Sequence, residues 1–113
     1  MSHMRRFTDE EMQALLPTTR EYSLVLLKAG PEYGTDESRA LVWEHGRRNF
    51  GLREAGSLAV VCPMTDDSDL CGVGIFTTAV EETRTLMNDD PGVVAGVFTC
   101  EVHPVRGFPG DAL

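Results

Sequence analysis

Between residues 22 and 105, four strand-length apolar runs alternate with two helix-length segments in the order β-α-β-β-α-β, and this order constrains the fold more than any other feature of the chain. YSLVLLK (residues 22–28) is strand-like in length and is stopped by Gly30 and Pro31, so it reads as the first strand. SLAVVCPM (57–64) and GVGIFTT (72–78) are joined by the short TDDSDL loop, which predicts an antiparallel hairpin. GVFTCEVHPV (96–105) is the last strand, with Val97, Thr99, Glu101 and His103 on one face and Phe98, Cys100 and Val102 on the other.

The first long helix is expected from Asp36 to about Ala55, with Thr35 as its N-cap and Gly56 as its stop. Leu41, His45, Leu52 and Ala55 share one of its faces, which sets His45 among apolar neighbours. Gly46 and Gly51 inside it each cost ~1 kcal/mol relative to Ala, which predicts close backbone packing or local irregularity there. The second long helix opens on a Thr78/Glu81 capping box, buries Val80, Thr83 and Met87 or Leu86, and ends at Asn88 to Pro91. A short N-terminal helix follows the Thr8/Glu11 capping box and stops at Pro17, and the tail RGFPGDAL is irregular.

Without the N-terminal helix, this is the α+β, ferredoxin-like order, in which helices cover one face of an antiparallel sheet. The other face is also apolar, so two sheets are expected to pair face to face in a homodimer. With 113 residues the chain supports one core and one domain, residues 5–113 with its centre at 22–104. Ser2, His3 and Met4 read as the scar of an expression vector, which takes His3 out of any functional argument.

Ten Lys and Arg against eighteen Asp and Glu, a net charge of -8, argue against nucleic acid as a partner, because phosphate binding draws on basic side chains. The longest apolar runs, Leu24 to Leu27 and Leu58 to Cys62, fall far short of the ~20 residues that span a bilayer. The basic start MSHMRRF is followed by polar residues rather than an apolar signal core, so a soluble, cytoplasmic protein without a membrane partner is expected. Cys62, Cys71 and Cys100 are odd in number and lack C-x-x-C spacing, which predicts three reduced thiols.

The phrase LLKAGP at residues 26–31, His45 with Leu52 and Ala55-Gly56 after it, Leu58 opening a strand, GVGIF, and DDPGVVAGVF at residues 89–98 together resemble the YCII-related family of small proteins. The likeness spans about residues 22–104, and the added N-terminal helix and the Pro- and Gly-containing tail depart from the family's compact pattern. It implies a dimeric α/β barrel in which each subunit contributes a ferredoxin-like half. It also implies that His45 and Asp90, the aspartate of a D-P motif, form the family's active-site pair. One member of that family is a dehydrochlorinase acting on a chlorinated hydroxyhydroquinone, and the wider superfamily includes muconolactone isomerases and cofactor-free oxygenases.

On that resemblance His45 is the general base and acid, since imidazole titrates near neutrality, and Asp90 orients its ring. A buried structural pair, with Asp90 as a turn residue before Pro91, stands beside it as the other reading. Arg47 and Arg48 either reach an anionic substrate or form a solvated helix face, with Arg48 the candidate for binding. Trp43 and Tyr33 are candidate walls for an aromatic ligand, or packing residues.

No metal is expected, because the Asp66, Asp67 and Asp69 loop lacks EF-hand spacing and Glu101 with His103 lacks a third ligand. No cofactor is expected either, since Gly72-Val73-Gly74 sits in a strand with Thr77 where a dinucleotide loop needs glycine. Two functions follow as expectations. One is a cofactor-free lyase, dehydrochlorinase or isomerase acting on a small-molecule substrate. The other is a non-catalytic small-molecule-binding or assembly module, with the N-terminal helix and the tail as its interaction surface.

Overall fold

A computed structural model describes residues 3–113; the vector-scar reading of residues 1–4 lies in part outside them, at Met1 and Ser2. The order is α1 (Asp9–Leu15), a 3-10 turn (Leu16–Thr18), β1 (Arg20–Ala29), α2 (Ser38–Glu54), β2 (Leu58–Pro63), β3 (Leu70–Phe76), α3 (Val80–Asn88), α4 (Pro91–Val94) and β4 (Phe98–Gly107). The four strands form one antiparallel sheet in the order β2-β3-β1-β4, an α+β architecture compatible with the ferredoxin-like arrangement.

Strand alternation sorts the side chains. Ser23, Val25 and Leu27 of β1, Phe76 of β3 and Val102 of β4 are buried beneath the helices, where Met87 of α3 joins them. The opposite face carries Leu24 and Leu26, with Ile75 paired to Leu24, and among the described residues no helix covers these half-buried side chains. Glu101 and His103 stand on that open face as the alternation of β4 requires, and Glu101 pairs there with Lys28 at 2.8 Å.

Local chemistry accounts for most element ends. The Thr8 hydroxyl accepts the Glu11 amide while the Glu11 carboxylate accepts the Thr8 amide, so the expected capping box forms. α2 stops where expected: Gly56 adopts φ +81°, its amide donates to Arg53 and that of Ser57 to Leu52, the paired bonds of a Schellman ending. Both helix starts, however, lie downstream of the expected caps. Thr35 donates its hydroxyl to Glu32 and its carbonyl accepts the Ser38 amide and hydroxyl, so it closes a turn and α2 begins at Ser38. Thr78 has its carbonyl taken by the Ser23 hydroxyl and its own hydroxyl paired with Thr83, and Ala79 becomes the N-cap of α3.

Two further expectations need correction. A Cβ at Gly46 or Gly51 would meet nothing within 4 Å, so neither glycine serves close backbone packing, and Ala55 is exposed rather than buried beside His45. α1 buries none of its residues, leaving Phe7, Met12, Leu15 and Leu16 exposed. The Cα radius of gyration, 16.9 Å, exceeds the ~13 Å of a compact chain this long, as a projecting N-terminal arm requires. Among the described residues no helix is long and apolar enough to cross a membrane.

Candidate active site between helix α2 and the sheet

The site begins with a short sequence, Asp90-Pro91-Gly92-Val93. A residue before proline is held in extended backbone, and Asp90 sits at φ -66°, ψ 131° with Pro91 opening the one-turn helix α4. Its Oδ2 accepts the amides of Gly92 (3.0 Å) and Val93 (3.3 Å), capping that turn. Asp90 therefore starts a helix rather than ending one, and α4 has no counterpart in the sequence reading. Two backbone bonds on one oxygen leave Oδ1 for side chains, although the residue is 0% exposed.

α2 supplies those side chains. His45, Arg48 and Asn49 fall at i, i+3 and i+4, one helical face. His45 Nδ1 lies 2.8 Å from Asp90 Oδ1, and its Nε2 lies 3.2 Å from Asn49 Nδ2. With the carboxylate accepting at Nδ1 and the Asn49 amide donating at Nε2, the neutral imidazole carries its proton on Nδ1 and a lone pair on Nε2. Arg48 Nη1 is 3.8 Å from the same Asp90 Oδ1, an ion-pair distance too long for a hydrogen bond. The Phe98 ring packs against the imidazole with centroids 4.9 Å apart, a contact of about 0.5–1.5 kcal/mol that fixes the ring plane.

His45 and Asn49 line a cavity of about 590 Å³ between α2 and the sheet, and Asp90 does not. This volume lies in the range of small-molecule sites. Gly72 and Gly74, at alternate positions of β3, both face the helices and line the cavity, and a Cβ on Gly74 would come 3.2 Å from Leu58 Cδ1.

A bulge adds a thiol to the wall: pairing passes from Leu27↔Gly72 to Lys28↔Leu70, skipping Cys71, which lines the cavity. Burial pushes the Cys71 thiol up, and the charge Cys71 carries when ionised pushes the Tyr33 phenol above its usual range. Both groups are therefore neutral near pH 7. Behind the sheet edge, burial and the Asp90 charge push the Cys100 thiol up as well.

The structure brings His45, Asp90 and Arg48 together and sets Tyr33 at the cavity wall. Arg48 reaches Asp90 and is absent from the cavity lining, so within this chain it supports the carboxylate rather than a ligand. Trp43 stands apart, 71% exposed and outside the cavity, and Arg47 pairs with Glu44 in solvent. Asn49, Phe98 and the two glycines were not singled out as site residues by sequence. Asn49 had a signal in its spacing of four from His45, whereas Phe98 had none, since its place depends on packing across the molecule.

Among the described residues no three His, Cys, Asp or Glu side chains gather to hold a metal ion. Chemically, the arrangement can accept a proton at Nε2 once the Asn49 amide turns its oxygen toward that nitrogen, and hold the resulting imidazolium against the buried Asp90. No protein-family model matches the chain, and no curated protein matches it.

Proposed function

We propose that the protein is a cofactor-free, small-molecule enzyme of the lyase (dehydrochlorinase) or isomerase type, working as a homodimer related to the YCII-like proteins. One observation carries the reading: a histidine bonded at 2.8 Å to a fully buried carboxylate lines a cavity of ligand size. In an isomerisation, Nε2 removes a proton from carbon and returns it elsewhere. In a dehydrochlorination, the electron pair of the broken C–H bond forms the new double bond as chloride leaves with its own pair, and the proton stays on His45. Asp90 stabilises the cationic ring in both cases.

The test is proton exchange in D2O over a panel of carbon acids and chlorinated hydroxyhydroquinones, read by deuterium uptake and chloride release. His45→Ala and Asp90→Asn are each expected to lower the rate by about 10²–10⁴-fold, the usual worth of a positioned acid or base. Retained turnover in both variants removes the pair from the mechanism. The uncovered apolar face at Leu24, Leu26 and Ile75 supports the pairing of two sheets. A stable monomer in sedimentation at micromolar concentration overturns that part.

A second reading, a non-catalytic binding or assembly module, is favoured by one observation, the exposed apolar side chains Phe7, Met12, Leu15 and Leu16 of the N-terminal arm. Ligand binding without exchange of any panel compound would select it.

A further inference from the structure

The charge of the cavity wall narrows what can occupy it. Eighteen residues of the chain are Asp or Glu, yet among the described residues no carboxylate lines the cavity, and Arg39 is the one Lys or Arg that does. Asp90, the carboxylate nearest the cavity histidine, is screened behind His45 with both oxygens engaged. Arg39 itself forms no ion pair among the described residues, although the exposed Asp36 and Glu37 precede it in the chain; both lie outside the cavity lining.

Apart from His45, most of the rest of the wall is apolar or uncharged. Val25, Leu27, Leu58, Phe76 and Met87 are apolar, and the Ser38 hydroxyl is already bonded to the Thr35 carbonyl. Gly72 and Gly74 line the cavity without side chains of their own, and Leu58 and Phe76 crowd the position of a Cβ on Gly74. A chain with a net charge of -8 repels anions in general, so a carboxylate-free cavity with a single unpaired cation at its edge is a local reversal of sign.

Resting on the reading of this cavity as a ligand site, we infer that its occupant is an apolar monoanion whose charged group is held by Arg39 and whose body lies against the apolar wall toward His45 and Asn49. A polyphosphate would find no second cation in the lining. A cationic ligand would meet Arg39 with no carboxylate to offset it.

The test uses two dyes with one aromatic skeleton, 1-anilinonaphthalene-8-sulfonate and its uncharged counterpart N-phenyl-1-naphthylamine, titrated by fluorescence into the full-length protein. Gly46→Leu serves as the block, because Gly46 lines the cavity and a Cβ there has open space, so the leucine enters without colliding with the fold. It should weaken both dyes at least tenfold. Arg39→Gln should weaken the sulfonate about two- to fivefold, as expected for an exposed charge contact, and leave the neutral dye unchanged.

If Gly46→Leu blocks both dyes while Arg39→Gln leaves the sulfonate unaffected, or weakens both dyes alike, the monoanion inference is overturned and the cavity remains a ligand site. If Gly46→Leu blocks neither dye, the dyes bind elsewhere, and both the inference and the reading of the cavity as a ligand site fall.

Discussion

Asp90→Asn separates the two tasks of this carboxylate. Its Oδ2 caps α4 through the Gly92 and Val93 amides, and its Oδ1 accepts from His45 Nδ1. Asparagine and aspartate rank together as N-caps, so the amide oxygen of the variant keeps the first task. Its NH2 group then replaces Oδ1, and a donor faces the Nδ1 proton. The imidazole relieves the conflict by moving its proton to Nε2, which makes Nδ1 an acceptor. Asn49 must then turn its amide so that oxygen faces Nε2, across the 3.2 Å now spanned by its nitrogen.

The stability cost follows from what is exchanged. A hydrogen bond to a charged group, worth about 1.5–3 kcal/mol, becomes a neutral one worth about 0.5–1.5, so roughly 1–2 kcal/mol is lost. For a domain of this size, that lowers Tm by about 4–8 °C. Asp90→Ala loses more, because about 1 kcal/mol of cap and about 1–3 kcal/mol for an orphaned His45 Nδ1–H disappear together. Long-range ¹H–¹⁵N spectra of His45 report the tautomer, and thermal melts of both variants report the costs. If the asparagine variant keeps its proton on Nδ1, or melts as low as the alanine variant, the assignment of roles to the two oxygens is refuted.

Two glycine substitutions should act in opposite directions in urea unfolding. A Cβ at Gly30 would overlap the Gly96 carbonyl oxygen and crowd the Val97 backbone, so Gly30→Ala should destabilise by at least ~1–3 kcal/mol, the usual cost of overpacking, whereas Gly51→Ala, in open space on α2, should gain ~1 kcal/mol of helix propensity. Gly92→Ala would set a methyl 2.7 Å from the Phe98 ring that packs on His45, and a changed His45 ring-current shift in the NMR spectrum should report it; an unchanged shift would mean that Phe98 does not hold the imidazole.

The thiols supply a pH test. Burial, with the Asp90 charge second, raises Cys100, so the folded state favours the protonated thiol, and stability should fall as pH rises from the ordinary thiol range through the raised value. Cys100→Ala should flatten that alkaline decline in melts recorded across pH, and an identical decline in the variant would assign it to other groups.

Much of the fold was legible because its determinants are local. The capping box at Thr8 and the helix stop at Gly56 rest on contacts within a few residues, and both appear as read. The same reasoning missed where rival local bonds existed. Thr35 and Thr78 carry suitable hydroxyls, but Glu32, Thr83 and Ser23 claim their polar groups, which moves the helix starts to Ser38 and Val80. Trp43 is an aromatic residue near His45 in sequence, yet it stands on the outer side of α2, because side chains two positions apart point in different directions.

The sequence by itself determined the order of the four strands and of α1, α2 and α3, the β2–β3 hairpin and the alternation of β4, because strand period, turn residues and caps act over short stretches of chain. Tertiary structure alone decided that the glycines of β3 line a cavity beneath α2, that an unforeseen turn of helix begins at Asp90, and that Phe98 packs on His45. His45 and Asp90 stand far apart in the chain, and their 2.8 Å approach depends on how α2 is rotated over the sheet and how closely it packs on α4. A rotation of one residue about the helix axis, ~100°, would carry His45 away from both the carboxylate and the cavity, and no local pattern in the sequence specifies that angle.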